Sequence, residues 1–175
     1  LPGYGLYRRL RRDLLSLEPG ARTDAVVEHF LDAVMSVADE QSASIVGGRV
    51  YRRAGDWYEL LARRGDAGRA EVGYRVPVDY PVIDDLLANG WLLVRSDDPR
   101  RDPWIEAPLD GATFAAAVLG DEGNYLLALT LRQPVDELAM AHALASLGSI
   151  ADMTLDQRSL VRSLDEARRV QTSLL

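Results

Sequence analysis

The sequence predicts an α+β fold: an antiparallel sheet of five or six strands flanked by helices, with an N-terminal helix and a long C-terminal coiled-coil helix. Two observations predict it. The hydrophobic period is helical up to Asp39, becomes short and strand-like between Ala43 and Arg132, and turns helical again from Pro134 to the end. Within the middle stretch, Gly, Asp and Asn clusters divide the strand-like runs at hairpin spacing. The 175 residues, 47% hydrophobic and 27% charged, suit one soluble domain with helical extensions.

From Tyr4 to Leu17, Leu6, Leu10, Leu14 and Leu17 recur at helical spacing while Arg8, Arg9, Arg11 and Arg12 cover the other side. Pro19 and Gly20 end that helix. Thr23 or Asp24 can cap a second one, whose Val27, Phe30, Leu31, Val34 and Ala38 form a stripe suited to a sheet. Ala43 to Tyr51 and Trp57 to Ala62 read as a hairpin around Ala54-Gly55-Asp56. Gly73 to Val78 reads as a third strand. Tyr80 to Asn89 reads as a short helix begun near Pro81 and stopped by Gly90, and Trp91 to Arg95 as a fourth strand. Ser96 to Gly111, with three prolines and four aspartates, is expected to be a long loop or a broken helix. Ala112 to Leu119 and Tyr125 to Arg132 form a second hairpin. The helix from Pro134 would run for roughly 60 Å at 1.5 Å per residue. Its apolar positions narrow to a seam of Ile150, Met153, Gln157, Leu160, Leu164, Ala167, Gln171 and Leu174, the pattern of a parallel homodimer.

Composition removes several chemistries. All twenty basic residues are Arg, so no phosphate-binding or Schiff-base lysine exists. With no Cys there is no disulfide, thiolate nucleophile, Cys-ligated metal or thioether-linked chromophore, and a reducing cytoplasm is the expected location. The net charge of -7 and the lack of a concentrated basic surface argue against nucleic acid as partner. No apolar run reaches 18 residues, so no membrane partner is expected. His29 and His142 stand apart, and neither forms a ligand pair at helical spacing. Asp97, Asp98, Asp102, Glu106 and Asp110 offer oxygen ligands to a hard cation, yet they match no known loop spacing and the prolines among them favour turn chemistry, so no metal is assigned. Asp84 and Asp85 are adjacent on a helix and diverge, which does not suit general acid/base work. No catalytic residue is assigned. Arg64-Gly65-Asp66 is read as a coincidental adhesion tripeptide, and Arg8 to Arg12 as a solvated helix face.

Two segments carry a family likeness. Residues 43 to 65, ASIVGGRVYRRAGDWYELLARRG, resemble the opening hairpin of a GAF domain, a PAS-like small-molecule sensor, and residues 76 to 97, VPVDYPVIDDLLANGWLLVRSD, resemble the GAF strand, Pro-started helix, Gly and strand. The likeness spans about residues 22 to 150. It implies three regions: a signalling helix over 1–20, the GAF-like sensor over 21–150, and a coiled-coil linker over 151–175. Glu166-Ala167-Arg168-Arg169-Val170-Gln171-Thr172-Ser173-Leu174-Leu175 is similar to the junction that leads into SpoIIE-like, metal-dependent serine phosphatases. That likeness implies a regulatory fragment, not itself an enzyme, with an attached output domain beyond Leu175.

The GAF likeness further implies a ligand between one sheet face and the connecting segments. Tyr74, Tyr80, Trp91, Trp104 and Phe114 cluster around the irregular middle, and with Arg95 they are the expected ligand-binding residues. The same aromatics would also serve simply to fill the space. The resemblance assigns no cofactor and no particular small molecule. A ligand-free dimerisation or protein-interaction module of a signalling protein, of the histidine kinase or cyclase kind, is the alternative reading. An enzyme such as a small GAF-like reductase would need Cys.

Overall fold

A computed structural model describes residues 23–40, 45–109, 111–120, 123–132, 138, 140, 164 and 166–173. Its elements, in chain order, are α1 (Thr23–Glu40), β1 (Ile45–Ala54), β2 (Trp57–Gly65), β3 (Arg75–Pro77), α2 (Pro81–Asn89), β4 (Trp91–Val94), α3 (Pro103–Glu106) with a 3₁₀ turn (Ala107–Leu109), β5 (Phe114–Leu119) and β6 (Tyr125–Leu131). The strands form one antiparallel sheet of six in the order β3-β2-β1-β6-β5-β4. Its centre is therefore the pair formed by β1 and β6, which stand at opposite ends of the strand sequence.

Local chemistry sets most boundaries. Gly55 takes the left-handed φ of +64° that a two-residue hairpin loop requires, so β1 and β2 run longer than the alternating stretches alone suggest. A bulge opposite Val50 and Tyr51 interrupts the register. It changes the facing of β2: Tyr58 and Leu60 point to one side, Ala62 to the other. Pro81 opens α2, and Gly90, at φ +84°, closes it by donating its N–H to the Leu86 carbonyl. The stretch expected to be a long loop or a broken helix is helical over 103–109 only: the Asp102 side chain accepts from the Trp104 N–H and caps a single turn before Pro108.

The sheet has a packed layer on each face. On one, α1 lays Val27, Phe30, Leu31 and Val34 against Val50, Ala117, Leu127 and Leu129. Each of these large side chains contributes about 1.5–3 kcal/mol on leaving water. Gly48 permits the close approach of the helix, since a Cβ there would sit 2.7 Å from Leu31 Cδ1. Asp24 ties the start of α1 to the sheet through Arg52 and through the Tyr125 hydroxyl, which donates to Asp24 Oδ1 at 2.7 Å. The other face carries Tyr51, Tyr58, Leu60, Phe114, Ala116 and Leu126, covered by α2 and the segment 103–109.

The N-terminal helix and most of the coiled-coil seam, namely Ile150, Met153, Gln157, Leu160 and Leu174, lie outside the described residues. Leu164, Ala167 and Gln171 are helical and exposed. No described helix is long and apolar enough to cross a membrane.

Candidate functional site

The face opposite α1 holds the chemistry. Along β1, Arg49 and Tyr51 point to this side, cross-strand from Ala128 and Leu126 on β6. Arg49 is a buried charge, only 2% exposed. Its Nη1 donates to the carbonyls of Ala67 at 3.3 Å and Leu109 at 3.1 Å, tying β1 to the loop after β2 and to the 3₁₀ turn. Its Nε is buried without a hydrogen-bond partner. Gly47 makes this geometry possible. A Cβ there would lie 2.0 Å from the Asp66 carbonyl oxygen, so only glycine lets the loop cross β1 this closely.

A second charged group lies nearby. Glu106, at the end of α3 and 5% exposed, accepts the Tyr80 hydroxyl on Oε1 at 2.7 Å and Arg101 Nη2 on Oε2 at 3.0 Å. Arg101 also donates to the carbonyls of Arg95 and Ala112 and stands 5.2 Å above the Phe114 ring. The Tyr80 hydroxyl in turn accepts the Asp102 N–H at 3.1 Å. None of the buried side-chain polar atoms of Tyr80, Arg101 and Glu106 is left without a partner, which is what burial demands.

Two hollows flank the knot. An inner cavity of about 40 Å³ is lined by Arg49, Tyr51, Tyr58, Tyr80, Glu106 and Phe114 together with aliphatic side chains of β3, α2, β5 and β6. An open cleft of about 570 Å³ lies outside it, lined by Pro77, Asp79, Tyr80, Arg100, Arg101 and Trp104 among others. Tyr80 borders both and forms part of the wall between them.

The six expected ligand residues are thus divided. Tyr80 and Phe114 border the inner cavity, and Tyr74 stands behind its wall, donating to the Ile105 carbonyl at 2.8 Å. Trp104 is 90% exposed at the outer cleft. Trp91 pairs with Ala117, which places it on the α1 face of the sheet, away from both hollows, because strand alternation carries it to the opposite side from Leu92. Arg95 is exposed and lines neither hollow. Three members of the acidic run serve structure: Asp98 pairs with Arg100, Asp102 caps α3, and Glu106 joins the buried knot, while Asp97 is exposed. Asp110 lies outside the described residues, among which no group of three metal-ligating side chains occurs. His29 is exposed on α1. Asp84 is exposed, and Asp85 pairs with Arg100 at 2.8 Å.

Burial pushes the phenols of Tyr51, Tyr58, Tyr74, Tyr80 and Tyr125 above their ordinary value of 10.0, helped at Tyr80 by its bond to Glu106 and at Tyr125 by Asp24. A phenol held neutral in the folded chain but free to ionise in the unfolded one stabilises the fold fully below pH 10 and progressively less above it. Stability should therefore fall as the pH rises above 10 toward the raised values of the folded phenols. In an alkaline titration, tyrosinate absorbance is expected to appear in one cooperative step together with loss of circular dichroism. A gradual, independent ionisation centred near pH 10 would contradict it.

Comparison with known proteins adds the fold. No protein-family model matches the sequence, and no curated protein matches it. Solved structures do. The A. aeolicus nlh2 GAF domain in an inactive state superposes with a TM-score of 0.64 at 9% identity, covering 92% of this chain and 97% of that one. A phycocyanobilin-bound GAF domain from a cyanobacterial phytochrome gives 0.64 at 15% identity, over 91% of this chain and 97% of that one. Free methionine-R-sulfoxide reductase from Neisseria meningitidis, with its substrate, gives 0.61 at 16% identity, over 89% of this chain and 87% of that one. The fold of this chain is that of the GAF domains.

Proposed function

We propose that this chain is a small-molecule-sensing regulatory domain. The inner cavity is its input and the C-terminal helix carries its output to an attached domain. The observation that carries this reading is the buried Arg49, which lines the inner cavity and whose Nε has no hydrogen-bond partner. A fold gains nothing from burying a charged group with a missing bond, so such a group is better explained by what it receives. The phycocyanobilin-bound neighbour supports a ligand role for the fold, while the reductase neighbour shows that the fold alone does not fix the role.

The reading keeps the three-part division at residues 20 and 150, a cytoplasmic setting, and a parallel homodimer along Ile150, Met153, Gln157, Leu160, Leu164, Ala167, Gln171 and Leu174. The exposed Leu164, with Ala167 and Gln171 three and seven residues on, supports that seam. A SpoIIE-like serine phosphatase is the proposed output domain, supported by the wording of residues 166–175. A ligand acts on such a linker only as far as it prefers one helix packing over another.

One observation favours a second reading, the ligand-free interaction module. The inner cavity, at about 40 Å³, is far smaller than the ~300–1,000 Å³ of ordinary ligand pockets. Native mass spectrometry of the 175-residue chain purified from cells separates the two. A dimer with retained mass is expected. A dimer whose mass never exceeds that of the polypeptide, under any small-molecule load, would favour the interaction module, and a monomer would remove the seam.

A further inference from the structure

We propose that the inner cavity binds a short aliphatic monocarboxylate, its carboxylate received on the Nε–Nη2 edge of Arg49. This rests on the sensor reading above and names the ligand class for its site.

Charge comes first. The buried charged side chains around the cavity are Arg49, Arg101 and Glu106, and the last two neutralise each other at 3.0 Å. Arg49 makes no ion pair with any described residue, and its bonded acceptors are neutral carbonyls. A buried guanidinium in that state is stabilised by an incoming anion, which restores both charge balance and the missing hydrogen bond.

Geometry selects the kind of anion. Nη1 is committed to the carbonyls of Ala67 and Leu109, so the Nε side is what remains. On that side Nε–H and an Nη2–H run parallel, the arrangement that meets the two oxygens of a planar carboxylate.

Volume and lining select the rest of the molecule. A water occupies roughly 10–15 Å³, so a cavity of about 40 Å³ holds a few waters or a molecule of a few heavy atoms. Beyond the polar groups the walls are Val76, Val82, Leu86, Phe114 and Leu126, which suits a short hydrocarbon tail. Arg49 is the only cation among the described residues lining the cavity, so a second carboxylate would be buried without a partner and a dicarboxylate is disfavoured.

The test measures the melting temperature and calorimetric binding of the 175-residue chain with sodium acetate and propionate. Acetamide, propionamide, nitrate and succinate at matched ionic strength are the comparison arms. Saturable stabilisation by the two monocarboxylates is expected, with none from the amides and at least about tenfold weaker binding of succinate. Arg49→Met should abolish the response. Arg49→Lys, which keeps the charge but not the paired N–H edge, should weaken it about tenfold or more. Ala128→Leu, cross-strand from Arg49 and lining the cavity, should abolish it by filling the space with Arg49 in place. These last two variants decide the matter if Arg49→Met fails to fold. Equal response to acids and amides, or a response retained in the folded Arg49 variants, would overturn the proposal, as would a preference for nitrate over both acids. A neutral molecule retained in native mass spectra would overturn the carboxylate while leaving the sensor reading intact; silence from every probe together with clean spectra would overturn both.

Discussion

Replacing Glu106 with alanine is expected to destabilise the fold by about 3–5 kcal/mol, measured by urea unfolding. The carboxylate accepts from both Tyr80 and Arg101. Its removal leaves the Arg101 guanidinium, whose side chain is almost wholly buried, with carbonyl partners only. The lost pair matters less than the charge left behind. Glu106→Gln keeps an acceptor for Tyr80 or Arg101 and should cost clearly less. A loss below about 1 kcal/mol for Glu106→Ala would mean that Arg101 swings into the open cleft it borders and regains water there.

The other large effect belongs to Gly47→Ala, which should cost about 3 kcal/mol or more. The added methyl carbon would stand 2.0 Å from the Asp66 carbonyl oxygen, 2.3 Å from its carbon and 2.9 Å from the Ala67 nitrogen. All three are backbone atoms, so no side chain can rotate to relieve the overlap. The loop must move, and the Arg49 bond to Ala67 would go with it. Gly90→Ala is the comparison: its left-handed φ of +84° is strained for alanine, but nothing lies within 4 Å of the new carbon. If the two variants lose the same stability, the close crossing of β1 by residues 66 and 67 is not what makes glycine necessary.

Most of the architecture is legible in the sequence because short-range chemistry dictates it. Gly55 demands its hairpin loop, and Pro81 and Gly90 bracket α2 whatever surrounds them. The bulge that turns β2 is not legible, since Tyr58, Leu60 and Ala62 alternate as though they shared a face. The site is less legible for a related reason. Arg49 sits in a run with Arg52, Arg53, Arg63 and Arg64, and nothing in residue type separates the buried one from the solvated ones. The one available signal is the Gly47-Gly48 pair before it, which marks a backbone approached closely on both sides. Glu106 is hidden likewise among five acidic residues, four of which a turn-rich loop would expose. Trp91 and Trp104 draw attention by size, yet one lies on the far face and the other in solvent, because aromatic bulk says nothing of direction.

The sheet order has a kinetic consequence. Its two central strands, β1 and β6, pair Ile45 with Leu131, whereas each outer hairpin closes through a few residues. Local hairpins gain their contacts at little loop entropy, while the central ladder must enclose the whole intervening chain. The hydrogen bonds at the middle of the finished sheet are therefore expected to form last, so that folding resembles the docking of two halves more than the growth of a sheet strand by strand. The cavity lies on this junction, since Arg49 and Tyr51 come from one half and Ala128 and Leu126 from the other. A ligand bound there would bridge the two halves.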